Sequence, residues 1–513
     1  MSELSAQVKE SLSKERVFEL LRSFVYIFCF VGILTHLCEF DNLIFESWKM
    51  RQADIAIIFF LVTLLALQKA KLFNWQSLIV TLILFPIAFF SSRVWVGSED
   101  LLVLQILDWV IRWLAVLLIT DMAITKRIRD FQKTRVWILV VFLVMTSLLL
   151  ISVGNTGMTT YLYFLLFFLI PITSKEFDRF IDCILIAGFI SFIVVSLISL
   201  VTNPPFGVPE AIFMMRNPGQ DGRWFGYFLN IGAFGQYLGL SLALGVCSLF
   251  RIISKYRKFI PGYVLCALWI VTDLYFGELN GTRNYMVGVV FMIIALVLFC
   301  VKKDKPKHVL IKLGIFIAIC VILCILAKQG IDYVYSDNYD EVAILDFLMK
   351  TPLKLVPATA GYFVKMLTRV HNQADIEEFA FAKRSVLRFI NIFSSARVDI
   401  GRILLGQSTF QGTDGAGFLY GDYFVQNAHN QYVQAIYRYG FLAGGFYLLS
   451  CFAYSIMSVV DYVRSKREEF RYIIILTAMM FGIWMGEMST IFYPMTFIPF
   501  VFLYPIFGKM EEE

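Results

Sequence analysis

Apolar runs of about twenty residues recur from one end of the chain to the other, broken by short polar stretches. A transmembrane helix needs roughly 20 apolar residues to cross the hydrocarbon of a bilayer. By that measure the pattern predicts spans near 20–40, 53–70, 75–92, 101–120, 136–153, 158–173, 181–201, 226–250, 261–276, 285–301, 309–328, 432–461, 472–487 and 491–508. The expected fold is an all-α polytopic membrane protein with about 14 transmembrane helices. Helices 1–11 occupy residues 1–328, a large loop with an amphipathic helix occupies 329–428, and helices 12–14 occupy 429–513. The opening "MSELSAQVKESLSKERVFELL" lacks the short apolar core and cleavage site of a signal peptide. It reads as a polar, amphipathic lead-in to the first span.

Composition strengthens this picture. The 513 residues are 59% hydrophobic and 16% charged, with 51 phenylalanines, too little polar surface to cover a water-soluble fold of this size. Nine cysteines all fall in apolar runs and no C-x-x-C occurs, so neither a disulfide framework nor a zinc site is expected.

Charge adds an orientation. Basic residues cluster in "ITKRIRDFQKTR", "RIISKYRK", "KKDKPK" and "RSKREEFR", which fall at alternate loops of the predicted map. The loops between them, such as "GNTGM", carry almost none. Cytoplasmic loops collect Lys and Arg, so both termini are expected inside. The net charge of +6 is thus a topology signal, and no nucleic-acid partner is expected.

The same map puts three unusual segments outside: 202–225, 277–284 and about 329–428. The first is rich in proline and glycine and leads through Arg223 into a helix with small residues at Gly226, Gly232, Ala233, Gly235 and Gly239. Arg223 either binds a ligand or snorkels to the headgroups. The second, "YFGELNGTRNYMVGVV", places Glu278 and Arg283 on either side of a tight turn. Arg283 is either a solvated charge or a functional cation, for an unpaired arginine at membrane depth is costly.

In the third, Lys383, Arg384 and Arg388 share one face of a helix whose other face is apolar, fitting a helix lying on the bilayer or capturing substrate. Arg397 follows, and then a glycine-rich turn without the G-K-[ST] of a nucleotide loop. The loop ends in "AHNQYVQAIYRYGFLAGG", where His429, one of only four histidines, precedes a long apolar stretch. Its imidazole is either a capping residue or part of a cationic cup. Arginine forks grip phosphate with two parallel hydrogen bonds, so a cup with one imidazole suits a lipid-linked phosphate or pyrophosphate.

Three of these stretches, with a fourth that adds to them, resemble motifs of the O-antigen ligase/polymerase superfamily, the Wzy–WaaL group of lipid-linked glycan transferases. "RWFGYFLNIGAFGQYLGLSLAL" resembles its Arg-x-x-Gly helix, with Gly235-Gln236 where Asn-Pro-Asn is usual. Gly281-Thr282-Arg283-Asn284 resembles its Thr-Gly-Ser-Arg-Gly turn, and "AHNQYVQAIYRYGFLAGG" its His-Asn-x-Tyr helix after the large loop. "SSARVDIGRILLGQS" resembles its Ser-x-Arg segment.

The resemblance covers roughly Asn203 to the C-terminus and implies an inverting glycosyltransferase of the GT-C type. It implies His429, Arg283 and Arg223 as catalytic, and Arg397, Glu278, Asn430, Tyr432 and Arg388 as substrate contacts. The implied enzyme uses no metal and no cofactor. Its donor and acceptor are undecaprenyl-pyrophosphate-linked glycans, with membrane lipids around it and a chain-length regulator or flippase as candidate partners. It would polymerise repeat units of O-antigen, capsule or a similar surface polysaccharide at the outer face of the bacterial cytoplasmic membrane. A ligase acting on a lipid A core is the alternative within the class. A lipid-linked oligosaccharide flippase is the alternative outside it, for which Asp108, Arg112, Asp182 and Asp273 are the available charges.

Overall fold

The computed structural model describes residues 2–35, 167–205, 224–228, 231–300, 418–420, 423–425, 430–465, 467–486 and 494–506, with isolated positions elsewhere. The helices are α1 (Ser2–Leu34), α2 (Ser174–Thr202), α3 (Ile231–Ser254), α4 (Ile260–Asn280) and α5 (Arg283–Ala295, extended by a π-turn over Leu296–Cys300). After them come α6 (Gln431–Ser465), α7 (Glu468–Trp484) and α8 (Pro494–Leu503), which runs into a 3-10 turn at Tyr504–Ile506. Among the described residues, five segments are long and apolar enough to cross a membrane: Arg16–Leu34, Ser174–Thr202, Ile231–Ser254, Ile260–Asn280 and Gly440–Ser465. This is the architecture of a helical membrane protein. Apart from isolated positions, the spans expected at 53–70, 75–92, 101–120, 136–153 and 309–328 lie outside the described residues, as do 158–166 of the span expected at 158–173 and most of the long loop.

Helix α3 is the hub. It packs against α2, α4, α5 and α7, and 72% of its span is buried, against 28–44% for the other four. Small residues make this possible, because lipid supplies no hydrophobic drive between helices and close backbone approach must supply the packing. A Cβ built on Gly239 would stand 2.6 Å from the Ile483 Cδ1 of α7. One on Gly245 would meet the Trp269 ring of α4 at 3.3 Å, and the Trp269 Nε1 donates to Ser241 Oγ at 2.9 Å. Between α5 and α7 the backbones themselves touch: a Cβ on Gly482 would lie 2.6 Å from the Gly288 Cα. Elsewhere the core is aromatic, with Tyr26, Phe60, Phe167 and Phe180 joining α1 to α2. The Tyr504 hydroxyl donates to the Ile170 carbonyl at 2.6 Å and accepts from the Ile172 N–H at 2.9 Å, which ties the last turn to the start of α2.

Two polar ends result. At one end Arg251 bridges Asp178 (2.5 Å) and Asp182 (2.7 Å), Lys255 repeats both contacts, and the Tyr256 hydroxyl donates to Asp182. Burial alone would lower the Lys255 pKa, but its bonds to the two aspartates hold it above the ordinary value. Arg471 lies over the Phe250 ring at 4.7 Å on the same end, and Arg22 reaches Glu176 at 2.9 Å. The "RIISKYRK" and "RSKREEFR" segments therefore meet at one end of the bundle, where the charge alternation expects both on the same side. The opposite end gathers the Thr202–Pro205 and Trp224–Phe228 segments, the Asn280–Asn284 turn, the start of α6 and the end of α7.

Three expectations need correction. The helix expected over 226–250 begins only at Ile231, and Gly226 sits in a turn with φ 56°. The helix expected unbroken over 432–461 is interrupted at Gly440, whose φ of 80° and ψ of 165° only glycine adopts at little cost. Gly440 is thus a corner: Gly444 comes back against the Ala435 carbonyl, and the span proper is Gly440–Ser465. The sequence pattern could not show it, because apolar residues continue through the bend. Finally, the loop expected to be helical also contains a hairpin, β1 (Phe418–Tyr420) paired antiparallel with β2 (Tyr423–Val425).

Candidate functional site

Asn280, the last residue of α4, organises the polar end opposite the ion pairs. Gly281 follows with φ 59°, the left-handed conformation that ends a helix and turns the chain back into α5. The Asn280 Nδ2 donates to the Trp224 carbonyl at 2.9 Å and to the Ile231 carbonyl at 3.2 Å. Its Oδ1 accepts from Thr282 Oγ1 at 2.5 Å, so Thr282 stands at the N-cap of α5 without capping it. The Trp224 N–H donates to the Leu279 carbonyl at 3.0 Å and its indole N–H to the Asn203 carbonyl at 2.6 Å. Gly235, in the first turn of α3, faces the Thr282 hydroxyl, with no room for a Cβ between them.

The start of α6 joins from the other side. The Asn430 Nδ2 donates to the Met485 carbonyl at 3.2 Å, while its Oδ1 caps α6 by accepting from the Tyr432 and Val433 N–H groups at 3.0 and 3.2 Å. The next residue after Met485 is Gly486, where a Cβ would lie 3.2 Å from the Asn284 Cα. The Tyr432 hydroxyl donates to the Phe481 carbonyl at 2.9 Å, and its ring meets Trp484 edge-on at 6.0 Å. From the long loop, Leu404 is fully buried against Tyr437 and Val433.

The first turns of three helices, α3, α5 and α6, therefore meet at one end of the bundle. Helix N-termini carry partial positive charge and unpaired N–H groups, so their convergence favours an anion. Buried carboxamides lie among them. Asn284 is 3% exposed and Gln431 fully buried, and the Asn284 Nδ2 and both polar atoms of Gln431 have no hydrogen-bond partner among the described residues. A buried polar group left unsatisfied costs about 1–3 kcal/mol. Neither residue was anticipated. The amide types were visible in the sequence, but only packing shows that neither is satisfied.

Of the predicted site residues, Asn430 and Tyr432 are brought together at the α6 start, and Glu278 lies half-buried in the last turn of α4. Arg283 is the first residue of α5, with its side chain outside what is described. Arg223, His429, Arg397 and Arg388 also lie outside the described residues. Their sequence neighbours Trp224 and Asn430 are both fixed at this end of the bundle, beside the turn that leads into Arg283.

Asp182, one of the charges available to a transporter, is instead engaged in the ion pairs of the far end. Asp273 is fully buried within α4 and accepts from the Tyr285 hydroxyl at 3.1 Å. Asp108 and Arg112 lie outside the described residues. No protein-family model, no curated protein and no solved structure matches this chain.

Proposed function

We propose that this protein is an inverting, GT-C-type glycosyltransferase that polymerises undecaprenyl-pyrophosphate-linked repeat units at the outer face of the bacterial cytoplasmic membrane. The 513 residues would form about fourteen spans with both ends of the sequence inside. The observation that carries the reading is the convergence of the three motif-bearing segments. Trp224 beside Arg223, Asn284 beside Arg283, and Asn430 beside His429 are held within one network at one bundle end. The residues that flank Arg223, Arg283 and His429 thus meet from segments up to about 200 residues apart in sequence, which supports a shared site.

In this reading the acceptor hydroxyl oxygen attacks the anomeric carbon from the face opposite the lipid pyrophosphate. The new C–O bond forms as the bond to the pyrophosphate oxygen breaks, and the diphosphate leaves with the electron pair. Arg223 and Arg283 stabilise the charge that grows there, which is where preorganised donors contribute most. His429 takes the acceptor proton or holds a phosphoryl oxygen, both roles open to an imidazole side chain. Arg397 and the basic face carrying Arg388 would engage the donor from the long loop.

The test is incubation of the purified protein in lipid nanodiscs with a lipid-pyrophosphate-linked repeat unit. A ladder of glycan lengths is the expected result. A single transfer to a lipid A core would make the protein a ligase. Movement of the intact lipid-linked glycan across the bilayer with no transfer would make it a transporter and overturn the reading.

A further inference from the structure

The two unsatisfied carboxamides differ in what they offer. The Asn284 Oδ1 is occupied by the Tyr285 N–H at 2.8 Å, so only its Nδ2 donor is open among the described residues. The side chain lies against the first turn of α3, where a Cβ on Gly235 would be 3.1 Å from Oδ1. Gln431 offers both a donor and an acceptor. The two are linked by a short path, from Asn284 to Gly486, and from Met485 to Asn430 and its neighbour Gln431.

A lone amide donor beside helix N-termini matches an oxyanion. A carboxamide with both atoms open matches a hydroxyl, which donates and accepts at once. We propose that Asn284 and Gln431 are the neutral contacts of one phospho-sugar site, Asn284 Nδ2 donating to a phosphoryl oxygen and Gln431 pairing with an adjacent sugar hydroxyl. For the class of ligand this rests on the glycan-transfer reading. It assigns the division of labour within that site: the pyrophosphate is gripped at the start of α5, and the sugar is read at the start of α6.

The experiment measures binding to the full-length protein in nanodiscs by calorimetry with three probes. These are inorganic pyrophosphate, a polyprenyl pyrophosphate without sugar, and the same lipid bearing one hexose. Asn284→Ala is expected to weaken all three by about tenfold or more, the loss of a hydrogen bond to a charged group. Gln431→Met is expected to weaken only the glycosylated lipid, by a similar factor. Gln431→Met should not lower the melting temperature without ligand, because both polar atoms it removes are unsatisfied among the described residues, whereas Asn284→Ala also removes the acceptor of the Tyr285 N–H and should lower it slightly. Should Asn284→Ala unfold, Asn284→Asp keeps the shape and must abolish pyrophosphate binding.

Unchanged affinities in both variants, or a Gln431→Met loss spread equally over all probes, would overturn the proposal. Glycan transfer by the wild type that neither variant impairs would overturn it while leaving the transferase reading intact. Pyrophosphate binding that depends on Asn284, in a protein that transfers no glycan, would overturn the transferase reading and leave the anion contact standing. A wild type that binds none of the probes overturns both.

Discussion

The Asn280 side chain donates to the Trp224 carbonyl at 2.9 Å, across 56 residues of sequence. That bond places the entry to α3 beside the exit of α4, and with it the residues next to Arg223 and Arg283. The same amide also holds the Ile231 carbonyl and the Thr282 hydroxyl. Asn280→Leu leaves those three groups unsatisfied in a fully buried position, a loss on the order of 2–4 kcal/mol. Thermal unfolding in detergent should show a drop of several degrees. Transfer activity should fall further than stability alone explains, because the relative placement of two motifs is lost.

Arg283 should matter more than His429. A cation aimed at the departing pyrophosphate acts on charge that develops in the transition state, and one such donor is typically worth roughly 10²–10³ in rate. An oxocarbenium-like transition state asks little of a base until late. Arg283→Lys keeps the charge but loses the fork, and should already be poor. His429→Ala should retain a trace of transfer that rises with pH as hydroxide takes over. Initial rates of ladder formation from pH 6 to 9 check this, and a fully active Arg283→Ala beside a dead His429→Ala would reverse the ranking.

Gly440→Ala should be strongly disruptive although the residue touches no predicted ligand. A side chain at φ 80° and ψ 165° is strained by roughly 1–3 kcal/mol, and relieving it would straighten α6. The close approach of Gly444 to Ala435 would then be lost. The expected outcome is a lowered melting temperature together with reduced transfer. Gly445, where a Cβ would meet nothing within 4 Å, serves as the tolerant control.

At the far end, Asp182→Asn should destabilise more than Asp178→Asn. The Arg251 side chain is only 8% exposed and needs a carboxylate, while Asp182 is 23% and Asp178 44% exposed. Losing the better shielded partner of a buried cation should cost about 2 kcal/mol, and losing the solvated one under about 1 kcal/mol. Unfolding midpoints in a denaturing detergent series report the difference, with transfer rates unchanged in whatever fraction stays folded.

Topology gives a further check. Cysteines at 127 and 257 should label from the cytoplasmic side and one at 283 from the opposite side. Labelling of 127 and 283 from the same side would break the orientation on which the outer-face site depends.

Much of the architecture follows from the sequence because lipid imposes a one-dimensional rule. Every backbone group in the bilayer must be satisfied locally, so a long apolar run becomes a helix wherever it packs. The spans at 181–201, 261–276 and 285–301 fall on α2, α4 and α5 within that logic. The neighbouring basic loops at 251–258 and 464–471 follow from the charge pattern.

The turn at Gly281 was likewise local, since a glycine between two spans specifies its own conformation. A cap before the apolar run was expected from His429 as one of two readings, and the side chain that caps α6 is its neighbour Asn430. What the sequence could not give is whatever depends on which helix meets which. The bend at Gly440 is invisible to hydropathy because apolar residues continue through it, and the close approach of Gly444 to the Ala435 carbonyl that it permits appears only in the folded chain. The hub role of α3 depends on glycines meeting Ile483 and Trp269 from elsewhere in the chain. The meeting of three helix starts, and the amides of Asn284 and Gln431 left with open atoms there among the described residues, exist only in the folded bundle. Burial and hydrogen-bond satisfaction are properties of the surroundings of a side chain, and those surroundings are assembled from segments far apart in sequence.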